Sequence, residues 1–359
     1  MDKTKKSKSK LSRFFSYYKP HRRLFAIDLT CAFLVAVIDI IFPYATRLSM
    51  QTYLPNGLYK SFFIMMAVLF LAYVLKAVLN YFITVLGHKM GVLIEADMRR
   101  DLFGHIQRLS FSFFDKNRTG EIMSRITNDL FEITELAHHG PEDVLICAAT
   151  LIGSLAVMLS LQFKLAMCLI LFLPVSLALT MSQRRRVMRA SAEVKKRTGE
   201  INATIESGIS GVRTARAFAN EQAEVEKFEI ANAKFKNAKT GFFKSFGIFM
   251  SGMSFTTSAM QVLVVSVGGY LIMQGELSVI DLLTFTLYVG IFIAPIRKLV
   301  NFSELYYTAT RGFDRFLEIL DTKPEIEDAP DATELSDVKG EIEFKNVGFK
   351  YKGTNVDVL

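Results

Sequence analysis

The sequence FSFFDKNRTGEIMSRITND, at residues 111–129, is a polar insert that begins with closely spaced phenylalanines and is flanked on both sides by long apolar segments. The pattern predicts a short helical turn, a break and then a second helix over residues 121–130. Phenylalanines exposed at a loop tip indicate a surface that a partner covers, although spacing alone also allows a hairpin packed on its own helices. The candidate residues of this tip lie in the turn and the break: Phe113, Phe114, Asp115, Thr119 and Gly120.

Apolar residues elsewhere are gathered into six blocks. Hydrophobic residues make up 51% of the 359 residues, and each block is near the roughly 20 residues that cross a bilayer as a helix. An ordinary soluble domain does not group its apolar residues in this way. The sequence therefore predicts an all-α membrane protein with six long transmembrane helices that extend into two long loops. The blocks are residues 24–44, 62–86, 144–161, 165–181, 246–273 and 277–299.

The net charge of +8 comes from Lys and Arg concentrated in the N-terminal tail and the two long loops. Loops rich in Lys and Arg stay on the cytoplasmic side, so we expect both loops and both termini in the cytoplasm and the protein in the plasma membrane. Because the positive charge follows the membrane topology, nucleic acid is not expected as a partner. The only sizeable external loop is then residues 45–60.

The basic tail over residues 1–23 ends in an amphipathic stretch. Leu11, Phe14, Phe15 and Tyr18 recur at helical spacing among basic residues. This pattern predicts a helix lying in the membrane interface, with a solvated linker as the alternative.

The three cysteines lie in separate apolar blocks. Cys31, Cys147 and Cys168 have no His or Cys beside them at the spacing of a metal site. Neither a disulfide framework nor a metal site is therefore expected, and the cysteines are best explained as small core residues.

The second long loop has a glycine-bracketed turn. Its sequence at residues 206–228 is ESGISGVRTARAFANEQAEVEKF, in which Gly208 and Gly211 enclose a polar turn. An apolar stripe then returns at helical spacing, although a plain helix kink would give a similar pattern. The candidate residues of this second tip are Ser207, Gly208, Gly211 and Arg213.

The chain changes character after the sixth block. Helical periodicity continues to Leu320, and residues 321–339 then become acidic and proline-bearing, which is typical of a linker. Alternation over residues 341–347 predicts a β-strand.

Three stretches together resemble the ABC exporters of the multidrug, lipid and peptide type. They are SFFDKNRTGEIMSRITND at residues 112–129, the second loop at 206–228, and GEIEFKNVGFKY at 340–351. The resemblance covers nearly the whole chain. It implies a six-helix transmembrane domain over residues 24–320, a linker over 321–339 and the incomplete beginning of an ATP-binding domain at 340–359.

The resemblance also implies what the two loops do. In such exporters the loops couple the membrane domain to nucleotide-binding domains, so the residues of both tips are expected to carry coupling. Tyr351 would stack on adenine, since an aromatic ring face suits a base. The phosphate loop G-x-x-x-x-G-K-[ST] is missing, so this chain alone should not hydrolyse ATP and has no catalytic residue, whereas the complete transporter would use ATP and Mg²⁺.

Charged residues inside the blocks are costly and therefore informative. Counting from the block ends places Asp28 and Lys76 in the same half of the membrane, where they are expected to pair. Asp39 has no obvious partner and is expected to face a substrate cavity. Block six adds aromatic residues at helical spacing, which either pack or form a cavity wall: Phe285, Tyr288 and Phe292.

The sequence therefore predicts the membrane domain of an ATP-driven exporter that moves amphiphilic or hydrophobic substrates by alternating access. Its expected partners are nucleotide-binding domains, the lipid bilayer and a second half-transporter, in a homodimer or a heterodimer. The alternative is an ATP-independent secondary transporter or a non-transporting membrane scaffold.

Overall fold

The computed structural model describes residues 9–329, 331–334, 336 and 338–350. Within them the chain is almost entirely helical, as the sequence predicts. The α-helices are α1 (Lys10–Ser16), α2 (Arg22–Leu48), α3 (Tyr59–Ile106), α4 (Phe111–Lys116), α5 (Thr119–Ser124), α6 (Leu130–Leu161), α7 (Phe163–Ser210), α8 (Val212–Ala217), α9 (Glu221–Met273) and α10 (Val279–Asp321). Two π-helical segments, Ser49–Tyr53 and Arg125–Asp129, extend α2 and precede α6.

Five helical segments are long and apolar enough to cross a membrane, and Val279–Phe292 at the start of α10 is a shorter apolar helix. The helices also exceed the bilayer. At a rise of 1.5 Å per residue, the 48 residues of α7 span about 72 Å, whereas the hydrocarbon core is about 30 Å thick. We call the end of the bundle with α4 and α8 the tip end, and the opposite end, where short turns join the long helices, the hairpin end.

The core of the tip end is formed by α3, α6 and α10. Met90, Ile94, Met98 and Leu102 of α3 recur every four residues and are fully buried or nearly so. They pack with apolar residues of α6 and with Phe316 of α10 in one cluster. Because residues four apart lie on one face of a helix, this spacing directs a continuous apolar stripe of α3 into the bundle.

At the hairpin end, the first pair of helices is joined by a much shorter turn than the sequence predicts. The expected loop over residues 45–60 is mostly helical, because α2 continues through Ser49–Tyr53 and α3 already begins at Tyr59. Polar residues in this stretch are accommodated within the helix, since Ser49 is buried and its hydroxyl donates to the carbonyl of Ala45. The polar residues therefore led to a predicted end of the first long helix that is too early in the sequence.

The N-terminal helix α1 packs against the tip end of the bundle. Phe14 meets Phe313 edge to face at 5.4 Å between ring centroids, and the hydroxyl of buried Tyr18 donates to the carbonyl of Ala137. Leu11 and Phe15 remain exposed on the opposite side. Phe14 and Tyr18 thus contact the helical bundle and not lipid, so the prediction that this stretch lies on the membrane surface is corrected for these two residues.

The predicted strand over residues 341–347 does not form; the described residues there adopt no regular secondary structure. An isolated strand is not stable without a neighbour to satisfy its backbone groups, and the described chain offers none. Tyr351 lies outside the described residues.

Helices α7 and α9 form an arm that projects at the tip end. Among the described residues, none of α7 is buried beyond Thr180, and none of α9 is buried before Phe249. The two helices pack on each other along the arm, but no other element in the described part of the chain encloses them.

Candidate functional site

The first tip is built around α4. Phe111 is 88% exposed and Phe114 is 43% exposed, so both present apolar rings to the outside. Phe113 instead packs against the buried cluster of the tip end. The outward-facing apolar surface of this tip therefore consists of Phe111 and Phe114, whereas Phe113 anchors the turn to the bundle.

The break after α4 lies earlier than the sequence predicts. Asn117 and Arg118 adopt extended backbone angles, and the side-chain amide of Asn117 donates to the carbonyl of Phe113 at 2.8 Å. Thr119 and Gly120 are already the first residues of α5, so the expected break at these two positions is wrong. Asparagine bonds its own nearby backbone readily and competes with the helix for that carbonyl.

The chain that follows α10 returns to the first tip. The backbone N–H of Glu325 donates to the hydroxyl of Ser110 at 2.8 Å, and a ring nitrogen of His105 lies 2.9 Å from the carbonyl oxygen of Thr322. A cavity of about 140 Å³ lies beside this contact, lined by residues that include Phe113, Asn117 and Lys323. The tip is thus in direct contact with the segment that leads out of the helical domain.

The second tip is a tight turn between α7 and α9. The backbone N–H of Gly211 donates to the carbonyl of Ser207 at 2.8 Å, and a Cβ on Gly211 would lie only 3.0 Å from that oxygen. A side chain at this position would crowd that carbonyl, so glycine suits the sharp end of α7. Ile209 and Phe218 are 69% and 79% exposed, and Arg213 is also exposed. Ser207 is exposed and Gly208 half-buried, with room for a Cβ at Gly208.

The ion pair inside the membrane differs from the expected one. The ammonium of Lys76 lies 2.5 Å from a carboxylate oxygen of Asp39, so the predicted pair between Asp28 and Lys76 is wrong. The reason is the length of the first long helix, which continues to Tyr53 and does not end at Tyr44. Asp39 therefore lies farther from the hairpin end than the sequence predicts, at the level of Lys76. Asp39 therefore has the basic partner that the sequence did not reveal.

The three aromatic residues of α10 are packing residues. Phe285 and Tyr288 are fully buried and Phe292 is nearly so, all within one apolar cluster with residues of α6, α7 and α9. The hydroxyl of Tyr288 donates to the carbonyl of Ile40 at 2.8 Å, which satisfies its only polar group. These contacts contradict the assignment of the three residues to an open cavity wall.

An open cleft of about 520 Å³ lies where α7 leaves the apolar part of the bundle. It combines basic and apolar side chains, namely Met181, Arg184, Arg185, Met188, Arg189, Ala192 and Tyr307. Such a mixture suits a molecule that has both a charged and an apolar part.

A layer of polar residues that the sequence does not reveal crosses the bundle next to the tip-end core, on the side of the hairpin end. It contains Asp28 of α2, His88 of α3 and His138 and His139 of α6. Lys298 of α10 joins it through an ion pair with Asp143 at 2.6 Å. These residues lie just outside the apolar blocks or singly within one, so neither hydropathy nor local spacing brings them together.

Sequence comparison identifies the family of this chain. The sequence model of the family "ABC transporter transmembrane region" matches residues 25–296, and the chain belongs to this family. This match covers both loop stretches, at residues 112–129 and 206–228, and confirms the resemblance to the family.

Several similar proteins support the assignment. The uncharacterised ABC transporter ATP-binding protein YwjA of Bacillus subtilis (strain 168) is 35% identical over 95% of this chain. The putative multidrug export ATP-binding/permease protein YgaD of the same organism is 23% identical over 97% of the chain. The ATP-dependent lipid A-core flippase of Syntrophus aciditrophicus (strain SB) is 25% identical over 96%. The chain spans 59%, 61% and 57% of the length of these relatives.

Proposed function

We propose that this chain is the membrane domain of an ATP-driven exporter that moves amphiphilic or hydrophobic substrates by alternating access. The observation that carries this proposal is the pair of exposed apolar tips at the ends of helices that reach far beyond the bilayer. Family membership supports it, since the relatives are named as exporters, flippases and ATP-binding transporters.

The tips are suited to contact a nucleotide-binding domain. Phe111 and Phe114 on the first tip and Phe218 on the second remain exposed, although burial of such a side chain is worth about 1.5–3 kcal/mol. A partner that covers them would gain this energy. The coupling role extends to the predicted polar residues of both tips, Asp115, Ser207 and Arg213, which are also exposed.

A second half-transporter is the expected partner of the projecting arm. Isolated helices depend on packing for their stability, and the arm of α7 and α9 has no buried residue over most of its length at the tip end. We infer that a second copy or a similar chain covers it, in a homodimer or heterodimer. The tip end and both termini would then lie in the cytoplasm of a cell whose plasma membrane holds the protein, with ATP and Mg²⁺ bound by the nucleotide-binding domains.

The cleft beside α7 supports the proposed substrate class. Arginines next to methionines and a tyrosine can contact both parts of an amphiphile, whereas a small polar solute would use only the charged part. The relatives named as a multidrug exporter and as lipid A-core flippases agree with this class.

The test is a pair of substitutions in the complete transporter. Phe111→Ala with Phe218→Ala should leave membrane insertion intact, because both residues are exposed, but should separate ATP hydrolysis from transport. The matched control is Phe255→Ala, a 72% exposed phenylalanine in the apolar part of α9. ATPase activity and transport in proteoliposomes are measured together. If the tip variant keeps both activities coupled as in the wild type, the tips do not transmit the motion.

A further inference from the structure

We propose that His88, His138 and His139 form a binding site for a divalent transition metal ion such as Zn²⁺, which joins α3 to α6. These are three of the five histidines in the chain, and each offers a ring nitrogen within 4.8 Å of the other two. Their ring centroids lie 4.0 Å apart for His138 and His139, 4.5 Å for His88 and His138, and 5.5 Å for His88 and His139.

Hydrogen bonds prepare two of the histidines for a metal. The Nδ1 atoms of His88 and His138 lie 2.7 Å and 3.0 Å from the carbonyl oxygens of Thr84 and Thr134. A carbonyl only accepts, so each Nδ1 must carry the proton, and in the neutral ring the lone pair then sits on Nε2. Metal-bound histidines are oriented by this same kind of bond from the other ring nitrogen.

The free nitrogen of His138 is the independent sign of a ligand. Its side chain is buried, with 2% of the residue exposed, and Nε2 has no hydrogen-bond partner among the described residues. A buried polar atom left without a partner costs about 1–3 kcal/mol, so such atoms are rare. A metal ion held with the neighbouring rings would satisfy this atom.

Two glycines of α3 make the approach of the helices possible. A Cβ on Gly91 would lie 3.1 Å from Nδ1 of His138, and one on Gly87 would lie 3.2 Å from a carboxylate oxygen of Asp28. Both separations are tighter than ordinary contact, so a larger residue would force Asp28 or His138 to shift from its position. Gly91 thus lets the backbone of α3 lie close to the ligand His138, and Gly87 lets it lie close to Asp28.

The chemistry of the cluster favours nitrogen-preferring metals. Zinc–nitrogen bonds of 2.0–2.1 Å in a tetrahedral site separate neighbouring nitrogens by roughly 3.3 Å, so small rotations of the three rings are needed to close the site around an ion. Carboxylates of Glu135 and Glu142 lie 3.7 Å and 4.0 Å from the two nitrogens of His139 and would offset the charge of the ion. Asp143 forms an alternative group with His139 and Glu142, but its carboxylate is already paired with Lys298.

The site does not depend on transport, so its test measures binding. The transporter that contains this chain is purified in detergent with a tag free of histidine, stripped of metal, and titrated with Zn²⁺ against a fluorescent chelator. We expect one ion per copy at this site. His88→Gln should weaken binding by about 100-fold or more, because loss of mere supporting groups already costs 10–100-fold. His88 is exposed, so this variant should fold normally, and gel filtration checks that it does.

The matched control is His105→Gln, which lies outside the cluster and should bind Zn²⁺ as the wild type does. His139→Gln should weaken binding as His88→Gln does. Cobalt substitution then identifies the ligands, since nitrogen coordination gives d–d absorption without the sulfur charge-transfer bands of a thiolate site. Failure to bind Zn²⁺, equal affinity in His88→Gln and wild type, or thiolate bands from the cobalt protein would each overturn the proposal.

Discussion

Replacing Lys76 with methionine should strongly destabilise the protein, because it leaves Asp39 charged and without its partner inside the bundle. The pair is 2.5 Å long, and its side chains are only 23% and 26% exposed. A lone charge at the centre of a span costs about 2.5–3.5 kcal/mol on insertion scales. A loss of about 3 kcal/mol lowers the ratio of folded to unfolded protein by about 150-fold.

The double variant Asp39→Leu with Lys76→Met should recover most of this loss, since apolar replacement of a whole buried pair is often neutral or stabilising. The assay is the yield and thermal midpoint of the full-length protein in detergent. Lys164→Met is the matched control, because Lys164 and Glu276 form a pair that is 63% and 41% exposed at the hairpin end. That pair should be worth less than about 1 kcal/mol. If Lys76→Met melts like the wild type, or the double variant is no better than the single one, the pair carries no such energy.

Further predictions concern the core, the N-terminal contact and the topology. Phe316→Ala should cost about 3–5 kcal/mol, because the ring is fully buried in the tip-end core, and a shift of the denaturation midpoint below 1 °C would contradict this. Tyr18→Phe should cost about 1 kcal/mol by removing the bond to Ala137. Burial also raises the pKa of Tyr18; the folded state then holds the phenolic proton more tightly, so wild type should lose stability relative to Tyr18→Phe as pH rises above about 10. With the three native cysteines removed, a cysteine at Asn56 should react with an impermeant thiol reagent in intact cells and one at Ser210 should not; the reverse pattern would invert the topology.

Much of this fold can be predicted from the sequence because membrane helices carry a strong local signal. The apolar blocks identify the spans, and the glycines at the second tip identify the turn at Gly211. Helix ends are less well determined, since polar residues such as Ser49 are satisfied by the helix backbone itself. The strand at residues 341–347 is not formed because alternation creates a strand only where a neighbouring strand can pair with it.

Contacts between distant helices are the part that the sequence could not give. The partner of Lys76 depends on where the first long helix ends, and moving that end from Tyr44 to Tyr53 replaces Asp28 by Asp39 as the partner. In the same way, His88 lies 50 residues or more from His138 and His139, and only the packing of α3 on α6 brings the three rings together. The exposure of a phenylalanine also depends on contacts between distant helices. Phe285 and Tyr288 are buried because α10 packs against other helices, whereas Phe111 in α4 is exposed.

Under the proposed function, nucleotide-driven motion at the tip end opens and closes the membrane domain. The most direct measurement is the distance between spin labels at Asn202, an exposed position on the α7 arm, in the two chains of the complete transporter. Pulsed electron paramagnetic resonance compares the nucleotide-free protein with protein trapped after ATP hydrolysis. We expect the distance between the two labels to become shorter when nucleotide is trapped. The Phe111→Ala, Phe218→Ala variant should not show this shortening. Identical distance distributions in both states, in a protein that hydrolyses ATP, would contradict alternating access driven through the tips.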